Sequence, residues 1–396
     1  MREVKEICAG CLIICTLSFF VVPSAAAGTD TSMIDLGTVI VTPSRVAQST
    51  TMTTQQISVV DTTAIEESGA QEVSQVLELL PSVELLDYGA LGAYKGVMIR
   101  GANTSQVLAL VDGRPLNTPR DGLADLTSIP LSQIERIEVL RGPASSMYGA
   151  NAVGGVINII TKQGTEKMLT ELSTRTGAFS TNQVSLAHGY KIRGIDYFLT
   201  YDYESSQGHR DNSGYLHNAA SVKVGYQLDE MSRLGLSGSF SAAKLGTPGQ
   251  QSFIDLDDRQ DSLKKNVQLT YQGKIWEGQD ILLNAFHTTD RLEFNETFAP
   301  SVKTTNQTIV YGIDGQISQV FLSVFRTAVG VSLQEHAINS SASDKHDYDF
   351  KAFYGEAEVD VTKRVTAKMG LRWDDYSHFG DCLSPSASLS FWLLKS

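Results

Sequence analysis

Ile134-Glu-Arg-Ile-Glu-Val-Leu-Arg-Gly-Pro-Ala-Ser-Ser-Met-Tyr-Gly-Ala-Asn-Ala-Val-Gly-Gly-Val-Ile-Asn-Ile-Ile-Thr-Lys162 decides how the chain is read. Two short apolar runs, Ile137 to Leu140 and Val156 to Ile160, flank a Gly- and Pro-rich turn region whose backbone must pack closely. Strand, turn region, strand is common to many folds, so the neighbouring segments matter. Met98-Ile-Arg-Gly101 precedes it, as does Leu110-Val-Asp-Gly113 running into Arg114-Pro-Leu-Asn117. A chain of 396 residues suits two or three ordinary domains, or one large β-structure. Charged residues are 19% and mean hydropathy is -0.09, too polar for a helical membrane protein. A membrane β-barrel has that profile, because only alternate residues meet lipid. The net charge of -12 gives a nucleic-acid partner no electrostatic support, and fits cationic ligands and divalent metals equally.

Taken together, the three segments resemble, in order, the plug domain of TonB-dependent outer-membrane receptors. The resemblance implies a small α+β plug followed by antiparallel transmembrane β-barrel strands. Implied partners are TonB with its inner-membrane energising complex, a large small-molecule ligand and outer-membrane lipid. No enzyme chemistry and no required cofactor follow. The sequence agrees, having no nucleophile elbow, P-loop or H-E-x-x-H, and seven scattered histidines.

Residues 1–27 read as a signal peptide: Arg2 and Lys5, an apolar core from Ile7 to Val22, then Pro23-Ser-Ala-Ala-Ala27 with an A-x-A-like site. Cleavage removes Cys8, Cys11 and Cys15, leaving Cys382 as the one mature cysteine and no intrachain disulfide. Residues 28–54 are rich in Ser and Thr and read as a mobile periplasmic segment. Within them Leu36 to Pro43 is an extended, β-branched run that either forms an edge strand or adds to a partner's sheet. Its position resembles the TonB box, which makes Thr38, Val39, Ile40, Val41 and Thr42 the handle for TonB.

Residues 55–165 form the expected plug. Gln56 to Val60 is a strand, Asp61 or Thr62 caps a helix, and Val73, Val76, Leu77 and Leu80 share one helix face that Pro81 stops. The loops Asp87 to Lys95 and Asn117 to Leu123 match plug positions that face outward in the family, so Tyr88, Tyr94, Asn117 and Arg120 are the candidate ligand contacts. Arg100 and Arg141 need partners, since a buried unpaired guanidinium is costly. A local pair with Glu135 or Glu138 is one solution. In the family these two motif arginines resemble a lock that pairs with glutamates on late barrel strands.

Residues 166–396 carry the barrel pattern. Tyr197, Leu199, Tyr201 and Tyr203 alternate with Asp196, Thr200 and Asp202, the polar row broken by Phe198. Val222, Val224 and Tyr226 alternate with Lys223 and Gln227, and Met369, Leu371 and Trp373 with Lys368, Arg372 and Asp374. A soluble sandwich also alternates, but short turns taking turns with long connections argue for a barrel. The long connections are Ser205 to Leu216, Lys244 to Asp261, Arg291 to Asn306 and Ser340 to Asp349. In the second, Asp255, Asp257, Asp258 and Asp261 offer a calcium site or, more simply, a solvated acidic loop.

About twelve strands fit between Lys167 and Trp392, against the twenty-two of the family's plugged transporters. At about 4.8 Å spacing and about 40° tilt, twelve strands close to a radius of about 12 Å and twenty-two to about 22 Å. A plug of about 130 residues is a globule about 18 Å in radius, so the smaller ring cannot hold it. The expectation is a partial barrel: a fragment, a frameshifted gene or half of a split receptor. Gly246-Thr-Pro-Gly249 and Asp257-Asp-Arg-Gln260 look more similar to cobalamin receptors than to ferric-siderophore receptors. A passive porin-like or adhesin barrel is the rival of another class, and an exposed esterase barrel a distant third.

Overall fold

Ile137 and Ile159 face each other across the strand pair that the opening segment forms. Ile134–Arg141 runs antiparallel to Gly155–Thr161, with Val139 opposite Ile157 and Leu140 opposite Val156. A Cβ on Gly155 would lie 2.4 Å from the Leu140 carbonyl oxygen, which is why the turn region needs glycine there. The computed structural model describes residues 39–40, 48–49, 56–89, 91–250, 253–276, 278–296, 302–321, 324–343, 345–362 and 364–391. The signal peptide and Thr38, Val41 and Thr42 lie outside them.

The first part of the chain holds β1 (Val39–Ile40), β2 (Gln48–Ser49), β3 (Gln56–Asp61), α1 (Thr62–Ser68), α2 (Val73–Glu78), β4 (Val83–Asp87) and β5 (Lys95–Ile99). There follow β6 (Val107–Val111), β7 (Arg114–Pro115), β8 (Ile134–Arg141), α3 (Ser145–Tyr148) and β9 (Gly155–Thr161). β1 pairs with β2, and β4 with β5. The main sheet is β3-β8-β9-β6-β7, antiparallel except where β6 runs parallel to β9. Asp61 caps α1 by accepting from the Ala64 N–H at 2.9 Å, and Gly69, at φ 66°, ends it in the left-handed region. α2 lays Val73, Val76 and Leu77 against Ile99, Ile137, Val139, Ile157 and Ile159, giving the plug its own core.

The wall consists of β10 (Leu169–Gly177), β11 (Thr181–Ile192), β12 (Ile195–Ser206), β13 (Tyr215–Gln227), β14 (Ser232–Gly246), and, past a small hairpin of β15 (Gly249–Gln250) and β16 (Phe253–Ile254), β17 (Arg259–Lys274). It continues through β18 (Gln279–Glu296), β19 (Val302–Phe321), β20 (Phe325–Ser340), β21 (Lys345–Thr362), β22 (Val365–Tyr376) and β23 (Gly380–Phe391). Leaving out the hairpin, these twelve strands form one antiparallel sheet in chain order. β10 and β23 each have a single neighbour, so the sheet is open among the described residues.

Side chains sort in the reverse of a soluble protein. Leu199, Leu236, Leu269 and Leu371 are exposed, while Asp202, Gln268, Asn284, Arg372 and Asp374 are buried. A soluble sandwich would bury the leucines, so that alternative falls. Phe198, the break in the polar row, is buried with the polar residues. Among the described residues no helix is long and apolar enough to cross a membrane. The expected long connections after Arg291 and Ser340 are mostly strand, because β18 reaches Glu296, β19 starts at Val302 and β21 at Lys345. Their largely polar and charged sequences pair as ribbon with little apolar alternation, so periodicity alone missed them.

Leu77, fully buried in the plug, tests whether that core is separate from the wall. Leu77→Ala should cost about 2–5 kcal/mol. The plug of the chain folded in detergent should become trypsin-sensitive at Arg136 and Arg141, with the far-UV signal of the wall unchanged.

Candidate functional site

The contact between plug and wall starts from a turn. Asp112 and Gly113 have φ of 47° and 83° between the paired Val111 and Arg114, the positive-φ pair that Asp-Gly favours in a tight hairpin. The turn presents Asp112 to the end of β9. Its carboxylate accepts from the Thr161 N–H at 3.1 Å and hydroxyl at 2.5 Å. From β13, Lys223 Nζ reaches Asp112 Oδ2 at 3.0 Å, Thr161 Oγ1 at 2.9 Å and the Thr161 carbonyl at 3.1 Å. From β17, Gln268 donates to the Asp112 carbonyl at 3.0 Å.

Four more links follow the same pattern. Lys264 Nζ lies 2.7 Å from Asp125, which also accepts from the Thr127 N–H and hydroxyl. Burial pushes the Asp125 carboxyl up, but the Lys264 charge and these hydrogen bonds outweigh it and hold the pKa below the ordinary value. Ser132 donates to Asp202 at 2.8 Å. Arg372 donates to the Met147 carbonyl of α3 at 2.8 Å, and Ser386 to Ser146 at 2.8 Å. Apolar contact between plug and wall is small: Met147 against Ala328 and Tyr354, and Ala93 against Tyr215 and Leu245. With the Asp112 and Lys223 side chains 18% and 21% exposed, each charged link contributes on the order of 1 kcal/mol.

Two cavities lie along this contact. The outer one, about 120 Å³, is lined by Arg114, Thr288 and Asp290 among others, and the inner one, about 270 Å³, by Arg136, Asn284 and Tyr354 among others. Asp112, Thr161 and Lys223 line both, so their hydrogen bonds form a septum between the two.

The expected site residues distribute unevenly. Arg100 donates to Gln56 at 2.6 Å, and Arg141 to the Pro81 carbonyl at 3.0 Å and Ser58 at 2.6 Å. The local pair with Glu135 or Glu138 does not form, because Arg136 takes both glutamates at 3.1 and 2.9 Å. No ion pair to Arg100 or Arg141 occurs among the described residues. Burial, then the Arg100 charge, push the Arg141 pKa down. Tyr88 is exposed and 6.2 Å from Tyr94, ring to ring; burial raises the Tyr94 pKa. Asn117 is committed to backbone, accepting from Ala109 at 2.8 Å and donating to Val107 at 3.0 Å and Gly122 at 2.8 Å. These bonds brace its loop. Arg120 pairs with Asp121 at 2.7 Å.

Asp255, Asp257 and Asp258 come together with carboxylate oxygens within 4.8 Å, whereas Asp261 lies apart in β17, opposite Lys244 and Glu293. Asp255 accepts the N–H groups of Asp257 and Asp258, and these bonds lower its pKa. Calcium takes six to eight oxygens from carboxylates, backbone carbonyls and water, and these three acids would supply the carboxylate part of such a set. Of the TonB-box stretch only Val39 and Ile40 are described, paired as β1 with Ser49 and Gln48. Cys382 is exposed and free. The sequence missed Asp112, Asp125, Lys223 and Lys264 as site residues. Their signal was a charge at a plug-facing position of an alternating strand, or a charge in a tight turn.

Comparison with known proteins gives two family matches. The TonB-dependent Receptor Plug Domain matches residues 49–156, and the TonB dependent receptor-like beta-barrel residues 149–394. The vitamin B12 transporter BtuB of Vibrio cholerae serotype O1 is 35% identical over 155 residues, 39% of this chain and 25% of that protein. The siderophore receptor PirA of Pseudomonas aeruginosa superposes with a TM-score of 0.70 at 22% identity, over 86% of this chain and 59% of that one. FpvA of P. aeruginosa, bound to pyoverdine, gives 0.75 at 15% identity, over 90% and 57%. The structural likenesses speak to the fold alone. The alignment to the curated relatives covers a quarter of their length, and the chain spans about three-fifths of the solved structures.

Asp125 sets an acid limit on docking. A carboxylate with a depressed folded pKa contributes stability that is present above its unfolded value of about 3.9 and lost as pH falls through the folded value. Protection of the plug, read by hydrogen exchange corrected for the intrinsic rate at each pH, should hold from neutral pH down to about 5 and decline below about 4. Asp125→Asn should lower protection at neutral pH and flatten the acid decline; an unchanged pH profile would show that the Lys264 link does not matter.

Proposed function

The chain belongs to the TonB-dependent receptors, and on that premise we propose that it takes part in active uptake of cobalamin across the outer membrane of a Gram-negative bacterium. The family consists of receptors and transporters built as outer-membrane β-barrels, and is not a class of enzymes. The observation that carries the reading is the contrast between a plug with its own apolar core and a plug-to-wall contact that is mostly hydrogen-bonded. Polar links of this kind exchange with water at modest cost, so the plug can shift against the wall while its core stays folded. Cobalamin is favoured over a ferric siderophore by the 35% identity to the vitamin B12 transporter.

In this reading ligand binds at the outer face, with Tyr88, Tyr94 and Arg120 among its contacts. TonB grips residues 38–42 and, drawing on the inner-membrane proton-motive force, pulls. The pull enters at Gln56, the first residue of β3, which is an edge strand of the plug sheet. Gln56 is opposite Arg141 and accepts from Arg100, so the two arginines are the first side chains to feel the load. They form the plug's lock in this account. The exposed apolar face of the wall meets lipid.

Deleting residues 38–42 should abolish energy-dependent cobalamin uptake by cells expressing the chain and leave surface binding unchanged. An undiminished flux would mean a passive pore or adhesin. Growth rescue with a ferric siderophore, and not with cobalamin, as the limiting nutrient would move the ligand to the other class.

A further inference from the structure

Arg114 sits on β7, directly after the Asp112–Gly113 turn, and is 4% exposed. Among the described residues its Nε is buried without a hydrogen-bond partner, and Nη1 makes only two long bonds, 3.3 Å to Thr288 Oγ1 and 3.4 Å to the Pro115 carbonyl. The carboxylate that acts on it, Asp112, is already engaged by Lys223 and Thr161. Burial lowers the Arg114 pKa to about 10, which leaves it charged at neutral pH. A guanidinium is a fork of five N–H donors matched to a carboxylate or phosphate, and here most of that fork is unused.

The outer cavity that Arg114 lines supplies the rest. Lys162, Lys223 and Lys264 also line it, against the two acids Asp112 and Asp290. Even with Asp125 set against Lys264, basic groups are in excess. Its volume of about 120 Å³ holds several waters at about 10–15 Å³ each, enough for one oxyanion group and too little for a whole large nutrient.

We infer that the outer cavity is an anion subsite, in which Arg114, assisted by the Thr288 hydroxyl and Lys223, receives a phosphate or carboxylate group of the passing ligand just outside the Asp112–Thr161–Lys223 septum. Negative charge held there competes with Asp112 for Lys223 and so loosens the septum from the ligand side. The link to transport rests on the proposed function; the binding itself does not.

Inorganic phosphate is the probe, titrated calorimetrically into the full chain in detergent micelles at fixed ionic strength with chloride as background, and acetate in a parallel run to tell a phosphate from a carboxylate occupant. Saturable binding is expected, weakened at least about tenfold by Arg114→Gln and unaffected by Lys191→Gln at the far end of β11. Asp290→Asn removes an opposing charge and should tighten binding about threefold or more, a gain that a misfolded variant cannot give. Absence of saturable oxyanion binding by the unmodified chain, or binding that neither Arg114→Gln nor Asp290→Asn changes, overturns the subsite. Uptake defects with intact phosphate binding would count against the transport reading alone.

Discussion

A β-strand sends successive side chains to opposite faces, and in this chain the strands between the two edges of the twelve-stranded sheet turn the polar set toward the plug. That constraint governs the rest. The apolar set is left facing out, and the plug meets a surface of Lys, Asp, Gln, Ser and Arg. A domain bounded by such a surface cannot borrow a hydrophobic core from it. The plug therefore builds its own, from α2 and the central strands β8, β9 and β6, and docks by hydrogen bonds and ion pairs.

The consequence is a separation of stabilities. Removing Val, Ile and Leu side chains from water contributes about 1.5–3 kcal/mol each, and many such side chains hold the plug together. Individual polar links to the wall contribute on the order of 1 kcal/mol and can be replaced by water. The Asp112 turn concentrates several of them at one point, joining the end of β9 to β13 and β17 and dividing the outer cavity from the inner one. The two arginines of the plug motifs lie elsewhere, at the first strand of the plug sheet, held by Gln56, Ser58 and a backbone carbonyl.

What the sequence could say depended on whether the signal was local. The Gly-punctuated strand pair, the capping Asp61, the apolar face of α2 and the alternation of the wall are local, and each is present in the structure. Phe198 belongs to the plug-facing row although it looked like an interruption, because a pocket beside the plug can bury one aromatic ring. Partner choice is not local. Arg136 takes its neighbours Glu135 and Glu138, whereas Arg100 and Arg141 find Gln56, Pro81 and Ser58 at 44, 60 and 83 positions away, which no local pattern announces. The pairing of Lys223 with Asp112 spans 111 positions and depends on strand register across the whole wall.

Hydrogen exchange of the Lys223→Met chain, read residue by residue against the unmodified protein in the same detergent, tests most directly whether polar links rather than a shared core join plug to wall. Faster exchange confined to the Val111–Arg114 turn and the end of β9, with α2 and β8 still protected, is the expected result. Unchanged exchange at the turn, or loss of protection through the plug core and the wall together, would contradict it.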